Sequence, residues 1–255
     1  MVELKNADAL EAMREAGRVV AHALDAAREA AAVGVALREL DEVARAVIEA
    51  AGATSPFLGY RPSFAATPFP AVLCASVNDA VVHGIPDDYR LCDGDLLSLD
   101  CGATLDGWTG DAAISCIVGT PRPGDRELID TTQRALDAAI AAAVPGNRIG
   151  DISHAIDTVA RQARCGMPAD FGGHGIGRQM HEDPPVPGRG RPGRGYPLRP
   201  GLTIAIEPMM MAGGRDSYYE DLDGWTLRTT DGSRAAHIEH TVAVTEDGPR
   251  ILTLP

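Results

Sequence analysis

Apolar residues recur at helical spacing in four segments of the chain, and these segments form two pairs. The first pair covers residues 7–32 and 37–51, and the second covers 125–143 and 149–165. Asn6 stands where a helix N-cap is expected, directly before the first segment. The pattern therefore predicts two helix pairs, one in each half of the chain.

Strand-like patterns follow the first helix pair, after a loop rich in Pro, Phe and Ser. Residues 71–77, 95–105 and 108–118 are alternating or continuous apolar runs rich in β-formers. Asp106-Gly107 separates the last two runs, and this dipeptide is a strong signal for a two-residue hairpin turn. We expect an antiparallel hairpin in which Leu105 faces Trp108.

Three short sequences are echoed between the two halves at nearly one offset. They are ALDAA at 23–27 and 135–139, LDEVAR at 40–45 with IDTVAR at 156–161, and DGW at 106–108 and 223–225. Echoes in the same order predict a duplicated helix–helix–strand unit, with halves of about 1–120 and 121–255 in one domain spanning 1–255. A cleft between such halves is a natural place for a site.

Composition narrows the classes of function. The chain has 255 residues, a formal net charge of −13 and 45% hydrophobic residues. This charge repels phosphate backbones, so we expect no DNA partner. The five cysteines form no CxxC pair. This pattern argues against a disulfide framework or a zinc knuckle, and it is typical of a protein in the reducing cytosol. No signal-peptide core or run of 18 apolar residues occurs, so we expect a cytoplasmic protein with no membrane partner. No exposed heptad or large apolar stripe suggests a dimer, so we expect a monomer.

Two aspartates of the predicted hairpin point to a cation. If the turn has two residues, Gly102 faces Asp111, and Asp100 shares a face with Gly102. The two carboxylates then lie diagonally on one face, where their repulsion favours a divalent metal between them. The alternative is two exposed aspartates on a solvated sheet face.

Two glutamates interrupt later apolar strands. Glu207 follows the run TIAI, where Pro208 is expected to end the strand, and Glu239 interrupts the run AAHIEHTVAV, with His237 on its own face. Each alone is interpreted as an edge-strand charge. Four carboxylates in apolar strands are together hard to accommodate without metal, and two divalent ions would balance their charge. Ligands of this type suit Mn, Fe, Co or Zn.

Two histidines lie seven residues apart in GGHGIGRQMHEDP, at 172–184. The glycines oppose a helix, and Pro184 and Pro185 are expected to close the segment. In an extended chain an odd spacing places His174 and His181 on opposite faces. They are a pair of ligands, two separate functional groups of one site, or ordinary loop histidines.

Several motifs resemble those of type I methionine aminopeptidases. They are ALEAMREAGRVVA, VNDAVVHGIPDD, LDCGATLDGWTGDAA, GGHGIGRQMHEDP, IAIEPMM, DGWTLRT and IEHTVAVTEDG. The resemblance covers nearly the whole chain. It implies an α+β "pita-bread" (creatinase/aminopeptidase) fold with two pseudo-symmetric helix–helix–strand halves around a central curved antiparallel sheet. It also implies hydrolytic removal of the N-terminal methionine of nascent polypeptides and peptides, with a preference for a small second residue.

The resemblance also implies roles for individual residues. The implied metal ligands are Asp100 on one ion, His174 and Glu207 on the other, and Asp111 and Glu239 bridging both. A bridging water or hydroxide would attack the peptide, with Glu207 as the proton shuttle, and His83 and His181 would hold the scissile peptide. The implied methionine pocket comprises Tyr60, Phe69, Cys74 and Trp225.

Two features depart from the bacterial pattern of that family. The loop between Tyr60 and Cys74 is about five residues longer, and Phe57 stands where a cysteine is common. Both are expected to affect the shape of the pocket. The alternatives are a Xaa-Pro aminopeptidase or prolidase of the same fold, and a metal-free peptide-binding homologue. The Xaa-Pro enzymes carry a large N-terminal domain that we do not expect here.

An arginine-rich loop covers residues 188–199. It contains Arg189, Arg191, Arg194 and Arg199. The simpler interpretation is a solvated loop that offsets acidic surface. The other is transient contact with the ribosome near the exit of the nascent chain.

Overall fold

All four helices predicted from the apolar pattern are present in the computed structural model, which describes residues 2–63 and 65–255. They are α1 (Ala7–Ala30), α2 (Leu37–Ala50), α3 (Asp125–Ala142) and α4 (Ile149–Ala163). Asn6 caps α1, because its side chain accepts a hydrogen bond from the Ala9 N–H at 2.9 Å. None of the helices in this described part is long and apolar enough to cross a membrane.

The strands form one large and two small antiparallel sheets. The large sheet has the order β1-β3-β4-β12-β7-β5-β6, with β13 paired to β12, and the small sheets are β2-β10-β9 and β11-β8. The strand bounds are β1 Leu73–Val77, β2 Ala80–Val82, β3 Asp95–Leu105, β4 Trp108–Val118, β5 Gly172–Gly175, β6 Glu182–Pro187, β7 Thr203–Ile206, β8 Met209–Met211, β9 Tyr218–Glu220, β10 Leu227–Thr229, β11 Ala235–His237, β12 Glu239–Thr245 and β13 Gly248–Ile251.

Each helix pair buries its apolar face in its own core. Helices α1 and α2 pack with β1, β3 and β4 around residues such as Leu40 and Leu99, both fully buried. Helices α3 and α4 pack with β7 and β12 around Leu136 and Ile152, also fully buried. The large sheet is therefore covered by helices at both ends of its strand order. The duplication of the two halves stays a prediction.

The β3–β4 hairpin has the predicted register. Asp106 and Gly107 have φ angles of 51° and 77°, so both turn residues adopt the left-handed conformation that a type I′ turn requires. Leu105 pairs with Trp108 and Gly102 with Asp111. The turn thereby fixes which carboxylates share a face of the sheet.

A close contact between two glycines brings α1 directly onto β4. A Cβ atom built on Gly110 would lie 2.9 Å from the Cα of Gly17, and one built on Gly17 would overlap the carbonyl oxygen of Leu252. A side chain on Gly110 would push α1 off β4, the strand that carries Asp111, and one on Gly17 would push α1 away from Leu252.

Three details of the strand pattern were predicted wrongly. Pro184 and Pro185 do not close the segment but lie within β6, which is an edge strand, where a missing N–H is tolerated. The run around Glu239 is two strands in different sheets, because the chain leaves β11 at His237 and enters β12 at Glu239. The first strand begins at Leu73 rather than at residue 71.

Candidate metal centre and active-site cavity

A cavity of about 290 Å³ opens over the central strands of the large sheet. Acidic and histidine side chains line one part of it, and aromatic and sulfur-containing side chains line the other. The lining residues are Phe57, Tyr60, Phe69, Cys74, His83, Asp100, Asp111, Phe171, Gly172, His174, Met180, His181, Glu207, Met209, Trp225 and Glu239.

Strand register brings three carboxylates to one face of the sheet. Ala113 of β4 pairs with Asp100 of β3 on one side and with Glu239 of β12 on the other. Asp111 lies two residues before Ala113, so its side chain points to the same face. Glu207 reaches the cluster from the end of β7, one residue past Ile206, which pairs with His240.

The cluster has the properties of a cation site. One carboxylate oxygen each of Asp100, Asp111 and Glu239 is buried and has no hydrogen-bond partner. Buried carboxylate oxygens without partners are costly, and several facing one another are costlier still. The ligand atoms of Asp111, His174 and Glu239 lie within 4.8 Å of one another. The donor set of carboxylates and imidazole therefore fits a hard or borderline divalent ion.

His174 presents one nitrogen to this cluster. Its Nδ1 lies 2.9 Å from the carbonyl oxygen of Gly175, so Nδ1 carries the proton and donates it. Nε2, the nitrogen that is free to bind a metal in this tautomer, faces Glu207 Oε1 at 3.6 Å. A hydrogen bond of this kind at the far nitrogen is what orients a metal-binding histidine.

His237 also reaches the cluster, and it was missing from the predicted site residues. Its Nε2 lies 3.6 Å from Glu207 Oε2 and 3.9 Å from Glu239 Oε2, and the residue is 2% exposed. Its backbone is held by Ser115, whose Oγ accepts the His237 N–H at 3.0 Å and donates to its carbonyl at 2.8 Å. The sequence signal was its position two residues before Glu239.

Burial separates the acidities of the four carboxylates. It raises the pKa of Asp100 to about 7, and together with neighbouring carboxylates it raises the pKa values of Asp111 and Glu239 well above their usual range. Burial also acts to raise the pKa of Glu207, but His237, His174 and His181 outweigh it and the net pKa is lowered. Glu207 is thus the carboxylate that ionises most readily.

The two histidines of GGHGIGRQMHEDP share the cavity. The ring centroids of His174 and His181 lie 4.1 Å apart, and the His181 ring stacks on Tyr60 with centroids 5.3 Å apart. The extended-chain prediction of opposite faces is wrong here, because the chain bends between the end of β5 at Gly175 and the start of β6 at Glu182. His181 lies at the exposed mouth and His174 is buried.

His83 faces the cavity from the end of β2. Its φ angle of 61° is left-handed, and its ring contacts Phe171 and Trp225 edge-on, with centroids 5.5 Å and 6.2 Å away. Burial lowers the pKa of His83 to about 4, so the imidazole is neutral near pH 7.

The apolar part of the cavity is a compact aromatic cluster. Phe69 and Trp225 meet edge-to-face with centroids 5.1 Å apart, and the Trp225 indole N–H donates to Thr67 O at 3.1 Å. Thr67 belongs to the loop between Tyr60 and Cys74, which was predicted to be longer than usual. This loop therefore forms part of the pocket wall. Phe57 lies against Gly102, where a Cβ atom would be 2.8 Å from its ring.

Comparisons with known proteins decide the family. Residues 11–246 match the model of metallopeptidase family M24. The chain is 53% identical over 261 residues to "Methionine aminopeptidase 1" of Mycobacterium tuberculosis, covering 100% of this chain and 96% of the relative. The chain belongs to the methionine aminopeptidases of metallopeptidase family M24.

Other methionine aminopeptidases agree along the whole chain. The protein of Aquifex aeolicus is 44% identical, with 99% of this chain and 98% of the relative covered. The crystal structure from Thermotoga maritima superposes with a TM-score of 0.95 at 38% identity and complete coverage of both chains. The pita-bread fold and the methionine aminopeptidase family, both expected from the motifs, are confirmed.

The prolidases share the fold alone. The Pyrococcus furiosus prolidase superposes with a TM-score of 0.77 at 23% identity, and this chain covers 65% of its length. The Xaa-Pro alternative is accordingly less supported than the methionine aminopeptidase prediction. Two observations oppose the metal-free alternative. The chain belongs to a metallopeptidase family, and all five predicted ligands line one cavity.

Every predicted site residue lies at this cavity. Of the predicted pocket residues, Phe69, Cys74 and Trp225 are buried, and Tyr60 is half-buried. The sequence prediction missed Phe171, Met180 and Met209, which also line the cavity, and it treated Phe57 only as a departure from the family pattern. The individual roles stay predictions.

Proposed function

We propose that this protein removes the N-terminal methionine from nascent proteins and peptides by hydrolysis assisted by two divalent metal ions, with a preference for a small second residue. The observation that carries the proposal is the junction of two environments in one cavity. Carboxylates that each bury one oxygen without a hydrogen-bond partner lie beside an aromatic and sulfur-lined pocket.

The metal ions would be held by five of the residues around the cavity. These are Asp100, Asp111, His174, Glu207 and Glu239. Four carboxylates carry four negative charges, which two divalent ions balance, and Mn, Fe, Co and Zn all suit these ligands. When bound, such ions lower the pKa of water and polarise the peptide carbonyl.

The apolar part of the cavity would bind the methionine side chain. Phe69 and Trp225 supply two ring surfaces at right angles, and an unbranched thioether makes favourable contacts with such rings. Burial raises the pKa of Cys74 well above its usual range, so this residue stays a neutral thiol and adds apolar lining. A pocket closed in this way leaves little room for a large second residue.

Two histidines would hold the peptide to be cleaved. His83 and His181 both line the cavity, where His83 meets Trp225 edge-on and His181 stacks on Tyr60. Neutral imidazoles there donate an N–H to the carbonyl oxygen as negative charge develops on it. Glu207 has the lowered pKa needed to remain ionised. It accepts a proton from the attacking water and returns it to the leaving amine.

The arginine-rich loop supports a weaker proposal, transient contact with the ribosome. All four arginines are exposed, as predicted for a solvated loop. Arg189 pairs with Asp216 at 2.7 Å, so the remaining three are the candidates for contact with RNA phosphates. Co-sedimentation with ribosomes that survives replacement of those three arginines would contradict this contact.

Metal-dependent release of methionine tests the main proposal. Protein stripped with EDTA is expected to be inactive and to regain hydrolysis of Met-Gly-Met when Mn, Fe, Co or Zn is added. The matched control is Asp111→Ala, which should not regain activity. Failure of every metal to restore methionine release, or faster cleavage of Xaa-Pro peptides, would overturn the proposal.

A further inference from the structure

The segment that carries His181 is fastened to the rest of the protein at three points. The Thr109 N–H donates to Gly177 O at 2.8 Å, and the Arg178 guanidinium lies 4.1 Å from the centre of the Trp108 ring. The third point is an ion pair between Glu182 and Lys5, with Nζ and Oε2 2.9 Å apart. Two points come from the β3–β4 hairpin, and the third comes from the start of the chain.

Lys5 is unusually enclosed for a lysine before the first helix. Its side chain is 2% exposed, and its ammonium also donates to Glu3 O at 3.2 Å. Its backbone N–H donates to Gly201 O at 2.7 Å, which anchors the strap formed by residues 2–5. A lysine is rarely buried to this extent unless it is paired, and here the partner is Glu182.

The ammonium lies directly against the segment of His181. A Cβ atom built on Gly177 would be 2.6 Å from Lys5 Nζ, so only a glycine permits this approach. The other oxygen of the Glu182 carboxylate accepts the Gln179 N–H at 3.1 Å. Glu182, which directly follows His181, therefore joins Lys5 to the backbone at Gln179, two residues before His181.

We infer that Lys5 is a positioning residue for His181, acting through Glu182. Glu182 is covalently adjacent to His181 and is the first residue of β6, paired with Gly175. Fixing the Glu182 carboxylate fixes where the His181 ring lies between Tyr60 and His174. The inference rests on the proposed function, because it assumes that His181 contacts the substrate. It adds the strap formed by residues 2–5 to the parts of the protein that shape the active site.

A double-mutant cycle tests this inference. Lys5→Met keeps the length and apolar stem of the side chain and removes its charge. We expect it to lower kcat roughly 10- to 100-fold with little change in KM, because displaced catalytic groups lose rate more than binding. In a His181→Ala background the same change should have less than about a twofold effect, since the group that Lys5 positions is gone.

The control removes an ion pair elsewhere at the start of the chain. Arg250→Met eliminates the exposed pair with Glu11, whose atoms lie 2.7 Å apart, and should leave kcat unchanged. An equal loss from Lys5→Met in both backgrounds would mean a global effect and would overturn the inference. So would an unchanged kcat in the single variant, or a His181→Ala protein as active as its parent.

Hydrogen exchange gives a readout that does not depend on activity. In the metal-loaded Lys5→Met protein, the amides of residues 177–182 should exchange faster while those of β3 and β4 keep their protection. Unchanged exchange in that segment would overturn the inference, whether or not methionine is released. If Lys5→Met does not fold, Glu182→Gln removes the same charge attraction and keeps an acceptor for the Gln179 N–H.

Discussion

Replacing Asp100 with asparagine should stabilise the metal-free protein at alkaline pH. Burial raises the pKa of Asp100 to about 7 in the folded state, against 3.8 for the unperturbed group. The folded state then binds a proton more tightly than the unfolded state. The resulting stability is complete below about pH 4 and is lost as the pH rises through about 7. An asparagine side chain cannot ionise, so the variant escapes this loss.

The size of the effect follows from the shift. A difference of about three pKa units corresponds to roughly 4 kcal/mol at about 1.4 kcal/mol per unit. Asp111 and Glu239 lie in the same cluster and respond when Asp100 loses its charge. We therefore expect the variant to gain roughly 2–4 kcal/mol over its parent at about pH 8, and little at about pH 4.

Urea unfolding of EDTA-treated protein at both pH values measures this difference. Asp25→Asn, on α1 and outside the cavity, serves as the control, because it leaves Asp100 in place and should not gain stability at about pH 8. Adding a divalent metal should reverse the order, because the ion stabilises the parent through the carboxylate that the variant lacks. A variant no more stable than its parent at about pH 8, or an equal gain at both pH values, would refute the reasoning.

The remaining predictions concern metal binding, rate, specificity and packing. Asp111→Ala should lose both bound metal and activity by metal analysis and peptide assay, and retained activity would contradict the two-metal proposal. His181→Ala should keep its metal but react roughly 10²–10⁴-fold more slowly, whereas loss of metal would give this residue a different role. Met-Ala peptides should be cleaved faster than Met-Lys peptides, and equal rates would contradict a pocket closed around Trp225. Gly17→Ala should lower the free energy of unfolding, measured in urea, by roughly 1–3 kcal/mol, because the added Cβ atom would overlap Leu252 O. An unchanged urea midpoint would show that α1 shifts to admit the Cβ atom at no cost in stability.

The β3–β4 hairpin, which carries Asp100 and Asp111, could be predicted from the sequence because its turn is specified by adjacent residues. Asp106-Gly107 specifies a two-residue turn, and that turn fixes the register of every residue along β3 and β4. The shared face of Asp100 and Asp111 follows from counting residues. The helices were predictable for a similar reason, since their apolar spacing is contained within each segment.

The features that the sequence pattern did not predict depend on contacts between distant parts of the chain. The role of His237 in the cluster depends on the chain changing sheets at Ile238 and on Glu207 arriving from a different strand. Pro184 is tolerated in β6 because β6 is the last strand in the order of the large sheet, and none of the other described strands pairs with its outer edge. Neither the change of sheet at Ile238 nor the edge position of β6 can be inferred from the few residues around it.

The division of the predicted ligands between the two cores has a consequence for folding. Asp100 and Asp111 lie on strands packed by the first helix pair, whereas His174 and Glu207 belong to the part of the sheet packed by the second. An ion that needs both sets binds only when the two parts are docked, so it adds about 4 kcal/mol to docking at a thousand times its dissociation constant. When the metal-loaded protein is unfolded in urea, metal release and the loss of helical signal should then occur in one transition, and a chelator should lower the midpoint of that transition by removing the stabilisation that the ion supplies.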